Sequence, residues 1–191
     1  MNAIFKLYWK ICRFRAGPED VPSVATLTVL TLLAYALLNF VVRAGFGDLS
    51  VAYSGVSLLV ITLFWTAMVY GVLVFKKLTA RFQQTFTAIL GTDVVLSLIS
   101  MPLAIIAGKF AMDSPVVALA SAFWLLVFIW DVLVKGFIFH RAFNVSPLLG
   151  NLFSLMISML IMMIDQSLLA QFEPELLDNL RQQQEQLRQQ Q

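Results

Sequence analysis

Cysteine and histidine, the two side chains that build most transition-metal sites, occur once each in this chain of 191 residues. Cys12 alone cannot make an internal disulfide, and no His/Cys zinc cluster can be assembled. Charge is also scarce. Asp, Glu, Lys and Arg make up 13% of the residues, against roughly 25% in ordinary soluble domains. A net charge of +2 gives no basic surface for nucleic acid. Phosphate-cradling loops, dinucleotide fingerprints and serine-elbow motifs are all missing. The polar stretches are too short to build a soluble catalytic domain. These gaps argue against an enzyme, a resident metal or cofactor, and a nucleic-acid partner.

What the chain has instead is apolar length. Hydrophobic residues make up 60% of it, more than a soluble fold of this size can hide. Five runs are long enough to cross about 30 Å of hydrocarbon as helices: residues 24–42, 51–75, 85–107, 115–139 and 147–170. Short connections predict antiparallel neighbours. The fold class is all-α, a polytopic bundle of five transmembrane helices.

Two flanking segments complete the expected organisation. Over residues 1–16, Lys6, Lys10 and Arg13 fall on one side of a helix, with Arg15 beyond. Ile4, Phe5, Tyr8, Ile11 and Cys12 cover the other side. That pattern predicts a basic amphipathic helix lying on anionic lipid. Gly17, Pro18 and Pro22 then interrupt the chain. Residues 171–191 form a glutamine-rich tail. Its Leu176, Leu180 and Leu187 give only a weak apolar stripe, as a polar helix or a short coiled-coil handle would. Lys and Arg concentrate before the first run and after the second and fourth, so the N-terminus is expected in the cytoplasm and the C-terminus outside.

Charges inside the apolar runs are the candidate functional groups. Asp131 and Lys135 are four apart and share a helix face. Counted from the apolar run ends, they lie about 12 Å and 6 Å from the cytoplasmic side, and Asp93 of the antiparallel third run lies about 12 Å from it. One charge at mid-bilayer costs at least about 2.5–3.5 kcal/mol on insertion scales. The expectation is that Asp93, Asp131 and Lys135 meet inside the bundle. Two acids and one base leave a surplus negative charge, so either one carboxyl is protonated or another donor joins. His140 and Arg141 are the nearest donors in sequence. Ser97 and Ser100 extend the Asp93 face. The off-centre depth favours a structural knot over an ion relay. Near the opposite ends, Asp165 is expected to pair with Arg43, with Lys109 as the next candidate. Gly150, Ser154 and Ser158 recur every four residues as a small-residue packing face.

The stretches "FRAGPEDVPSV", "QQTFTAILGTDVVLSLISMPLA" and "WLLVFIWDVLVKGFIFHRAFNVS" resemble small five-pass inner-membrane proteins of proteobacteria grouped with Yip-type proteins. The resemblance implies a bacterial inner-membrane location, with the C-terminus periplasmic, and a fold more than an activity. The aspartate–leucine–tyrosine–glycine–proline motif of eukaryotic Yip proteins is absent. Two functions fit the residues. One is a non-enzymatic accessory or scaffold protein, binding other membrane proteins or itself through the small-residue face. The other is a small transporter or ion pathway using Asp93, Asp131 and Lys135. A water-accessible cavity reaching those three residues would separate them.

Overall fold

The computed structural model describes residues 2–46, 49–107, 110 and 114–174. These form six α-helices: α1 Asn2–Cys12, α2 Ala25–Phe46, α3 Val51–Phe75, α4 Phe82–Ala107, α5 Pro115–Phe143 and α6 Pro147–Phe172. Single 3-10 turns precede α2 and α4, at Pro18–Asp20 and Thr79–Arg81. No strand occurs among the described residues. Helices α2 to α6 are each long and apolar enough to cross a bilayer, and the chain is a polytopic all-α membrane protein. Large apolar side chains such as Leu33, Leu63, Leu126 and Met163 remain exposed on the outer faces of these helices. Lipid is the solvent in which such faces cost nothing.

Local signals set the helix ends. Ser50, Ser114 and Ser146 cap α3, α5 and α6 by accepting the backbone N–H groups of Tyr53, Val117 and Leu149. Pro115 and Pro147 occupy the first helical positions, where no N–H is needed. Helices α1, α3 and α5 all close on a residue in the left-handed region: Phe14, Lys77 and Asn144, with φ of 58°, 58° and 50°. In each case a backbone N–H reaches back five residues, Arg15 to Lys10, Leu78 to Leu73 and Val145 to His140. These bonds satisfy carbonyls the helix leaves open. All three closures lie at one end of the bundle, with Lys76, Lys77, Arg81 and Arg141. We call it the basic face.

The five long helices form a closed ring in the order α2, α3, α6, α5, α4 and back to α2. α4 is the most enclosed. Residues 85–92 are buried without interruption, because α1 and the Pro18–Asp20 turn pack against this half of the helix. α5 and α6 make the closest crossing. A Cβ added at Gly150 would collide with the Gly136 carbonyl oxygen and lie 2.9 Å from the His140 backbone nitrogen. One added at Gly136 would run into Asn151. Gly150, Ser154 and Ser158 are buried, so the small-residue face is taken up within the chain.

Three expectations need correction. First, α1 is amphipathic, but much of its apolar side rests on protein. Tyr8, Ile11 and Cys12 are buried. The Tyr8 ring covers Gly91, where any Cβ would strike it, and its hydroxyl hydrogen-bonds to Thr31 Oγ1 at 2.9 Å. The Trp130 indole N–H donates to the Cys12 carbonyl at 2.8 Å. Lys6, Lys10, Arg13 and Arg15 point outward with Phe5, Trp9 and Phe14. Second, α4 begins at Phe82 and α5 continues to Phe143, past the ends of their apolar runs. Third, the small-residue face is an internal seam. The tail from residue 175 onward, with its leucine stripe, and Lys109 lie outside the described residues.

Candidate functional site

α4 supplies Asp93, and α5 supplies Asp131 and Lys135 from one face. Lys135 Nζ stands 2.8 Å from Asp93 Oδ1 and 2.7 Å from Asp131 Oδ2. The three side chains are 12%, 19% and 8% exposed in the order Asp93, Asp131, Lys135. The ammonium also sits 5.0 Å from the centroid of the Trp65 ring on α3, a cation–π contact that strengthens when desolvated. Phe139 packs against Trp65 on the side of the basic face. Asp131 Oδ1 is buried without a hydrogen-bond partner in the protein.

The centre sits near the middle of the two helices that build it. With the observed helix ends, Asp93 lies near the midpoint of the 26-residue α4 and Asp131 near that of the 29-residue α5. Both are roughly 16–18 Å from the basic face at 1.5 Å per residue. The side chains of Asp93 and Asp131 are too short to reach either end of their helices. The two extra donors considered from the sequence do not join. His140 Nδ1 contacts the Val145 carbonyl, and Arg141 pairs with Glu19.

A second ionic cluster lies toward the opposite end. Arg43 on α2 meets Asp165 on α6 at 3.1 Å. Asp165 also accepts hydrogen bonds from the Tyr53 hydroxyl at 2.9 Å and from Ser57, both on α3. Arg43 donates to Ser57 at 3.0 Å. Tyr53 and Ser57 were not singled out in the sequence. Their four-residue spacing in the second run was the available signal.

Between the two clusters runs a cavity of 240 Å³, room for several water molecules. All five long helices line it. Its polar wall includes Tyr35, Asn39, Ser97 and Ser100, with the Asp93–Asp131–Lys135 centre at one end and Arg43 at the other. Trp124 and Phe128, stacked at 6.3 Å between centroids, contribute to its apolar wall. Pro102 interrupts α4 just past Ser100, and its missing N–H leaves the Leu98 carbonyl without a helical donor. From the centre toward the basic face the packing is tight. Phe86, Leu90, Ile138 and Phe139 are buried there.

Burial pushes the Cys12 thiol on α1 up to about 12, and the Asp93 and Asp131 carboxylates add to the shift. The lone cysteine is thus an inert core residue within electrostatic reach of the centre. No group of three or more His, Cys, Asp or Glu suited to a metal ion occurs among the described residues. What this arrangement offers chemically is a carboxylate pair near mid-helix, bridged by one ammonium and open to a polar cavity. Comparison with family models, with curated proteins and with solved structures gives no match to this chain.

Proposed function

We propose that this is a non-enzymatic membrane protein that moves protons, or a small ion in exchange for them, through the Asp93–Asp131–Lys135 centre. The observation that carries the reading is the cavity joining the centre to Arg43. Ionisable groups at this depth are retained at a cost of several kcal/mol unless they are paired or wet. With both carboxylates ionised the centre has one surplus negative charge. The orphan Asp131 Oδ1 is where one more proton or small cation restores neutrality. Lys135 can hold to Asp93 while Asp131 is neutral, then bridge both carboxylates when Asp131 gives up its charge partner. The packed layer of Phe86, Leu90, Ile138 and Phe139 is the barrier on the far side, so exchange to the basic face needs this layer to open.

The scaffold reading depended on a free small-residue face. Gly150, Ser154 and Ser158 are buried against the chain itself, so a scaffold would have to use another surface. The density of Lys and Arg at the basic face supports a cytoplasmic N-terminus. The resemblance of three sequence stretches to bacterial Yip-type proteins is what supports a bacterial inner-membrane location.

The test is proton flux into proteoliposomes, driven by a potassium–valinomycin potential and read by an internal pH dye. The wild type should exceed protein-free vesicles, and Asp131→Asn and Asp93→Asn should fall to the vesicle background while remaining inserted and monodisperse. Flux equal to background in the wild type, or undiminished in both variants, would defeat the proposal.

A further inference from the structure

A second cavity, away from the centre, opens at the basic face. It measures 530 Å³ and is bounded by the Pro18–Asp20 turn, the start of α4 and the end of α5. Arg81, His140 and Arg141 line it, with Glu19 as the carboxylate on the wall. Arg81 is spent in part on closing α5: it donates to the Arg141 and Ala142 carbonyls at 3.3 Å and to Asn144 Oδ1 at 3.1 Å. Arg141 is paired with Glu19, and both side chains are 46% exposed. Two guanidinium groups against one carboxylate leave the cavity with a positive charge in excess.

A groove of 320 Å³ adjoins it between α5 and α6. Leu133, Phe137 and His140 form one strip of α5 along its wall, with Phe14 from the end of α1, and Asn151 from α6. His140 is a wall of both cavities. Arg141 lies 5.6 Å from the Phe137 ring centroid, which places the cation over the mouth of the groove. From His140 to Leu133 the strip runs about 10 Å into the bilayer at 1.5 Å per residue. Leu133 and Phe14 are 43% and 46% exposed, so the groove opens to the acyl chains.

A cationic pocket at headgroup level, continuous with an apolar groove, matches the two halves of one molecule. We infer that this is a binding site for an anionic phospholipid, its phosphate held by Arg141 and Arg81 and one acyl chain lying along Phe137 and Leu133. Charge-assisted hydrogen bonds from a guanidinium to phosphate are among the strong ones, and basic pockets between helices at this level suit anionic headgroups. Inorganic phosphate shares the headgroup chemistry but leaves the groove unfilled. Glu19 competes with the phosphate for Arg141, so it sets the affinity without making the site. The inference does not depend on what the Asp93–Asp131–Lys135 centre does.

The test uses the full chain in mild detergent, delipidated and then offered equimolar phosphatidylglycerol and phosphatidylcholine, with retained lipid counted by native mass spectrometry. The expected preference for phosphatidylglycerol is about tenfold, equivalent to about 1.4 kcal/mol. Arg141→Gln should bring the ratio close to one, and Glu19→Gln should raise it. Leu133→Trp, which fills the groove and leaves every charge in place, should lower retention of both lipids. Millimolar inorganic phosphate should fail to displace the lipid. Equal retention of the two lipids by the wild type would overturn the inference. So would a preference surviving Arg141→Gln, retention indifferent to Leu133→Trp, or full displacement by inorganic phosphate.

Discussion

Lys135 on α5 holds its ammonium 2.8 Å from the Asp93 carboxylate on α4, and the same ammonium bridges back to Asp131 one turn earlier. Removing the base leaves two buried carboxylates facing each other. Breaking a buried pair costs about 3–5 kcal/mol, whereas replacing all its members by apolar groups is often neutral. Lys135→Met should therefore lower stability by that order. Adding Asp131→Leu to it should recover part of the loss. Unfolding in mixed SDS–detergent micelles measures both, and equal losses in the single and double variants would count against the arrangement.

Gly136 and Gly150 let the α5 and α6 backbones touch. Gly150→Ala forces a Cβ against the Gly136 carbonyl, and overpacking of this kind costs about 1–3 kcal/mol. At Gly71 on α3 a Cβ meets nothing within 4 Å. Gly71→Ala should be neutral or stabilising by up to about 1 kcal/mol. The same micelle titration compares the two, and a larger loss at Gly71 would contradict the assigned crossing.

Lys77 closes α3 at φ 58°, where a Cβ is strained. Glycine removes that strain, so Lys77→Gly should stabilise by about 1 kcal/mol. Detergent thermal denaturation reads the shift. A loss of stability would mean that the Lys77 side chain contributes more than its backbone costs.

Cys12 gives a pH-dependent readout. Its thiol is pushed up to about 12 from an ordinary value of 9.0. The folded state therefore holds the proton more tightly than the unfolded chain. Its contribution to stability is complete below about pH 9 and is lost as pH rises through about 12. Cys12→Ala should flatten that part of the stability profile. At pH 8 the folded wild type should resist maleimide, and Gly91→Val, which evicts Tyr8, should expose the thiol. Fast labelling of the wild type would contradict the docking of α1.

Much of the bundle was legible before any coordinates. Apolar length gave α3 its bounds and α5 and α6 their starts. The pairing of Asp93 with Lys135 followed from spacing and from the cost of charge in hydrocarbon. The full length of α5 did not follow, because His140 and Arg141 read as a helix end. In the structure each finds a polar partner, and α5 continues through them. The seat of α1 was also hidden. It rests on Gly91, a single residue whose importance lies in the Tyr8 ring across from it, and no local pattern encodes that meeting. The Gly150–Ser154–Ser158 periodicity announced close packing but not the partner. Gly136, beside the charged Lys135, carries no periodic signal of its own.

The most direct measurement is chemical access to the cavity. In a Cys12→Ala background, Ser97→Cys and Ser100→Cys would be treated in proteoliposomes with a membrane-impermeant thiosulfonate, beside Leu126→Cys on an exposed outer face of α5. Both serine positions should be labelled from the side that carries Asp165, much faster than Leu126→Cys. Labelling of Ser97→Cys no faster than that of Leu126→Cys, from either side, would mean that no water reaches the Asp93–Asp131–Lys135 centre.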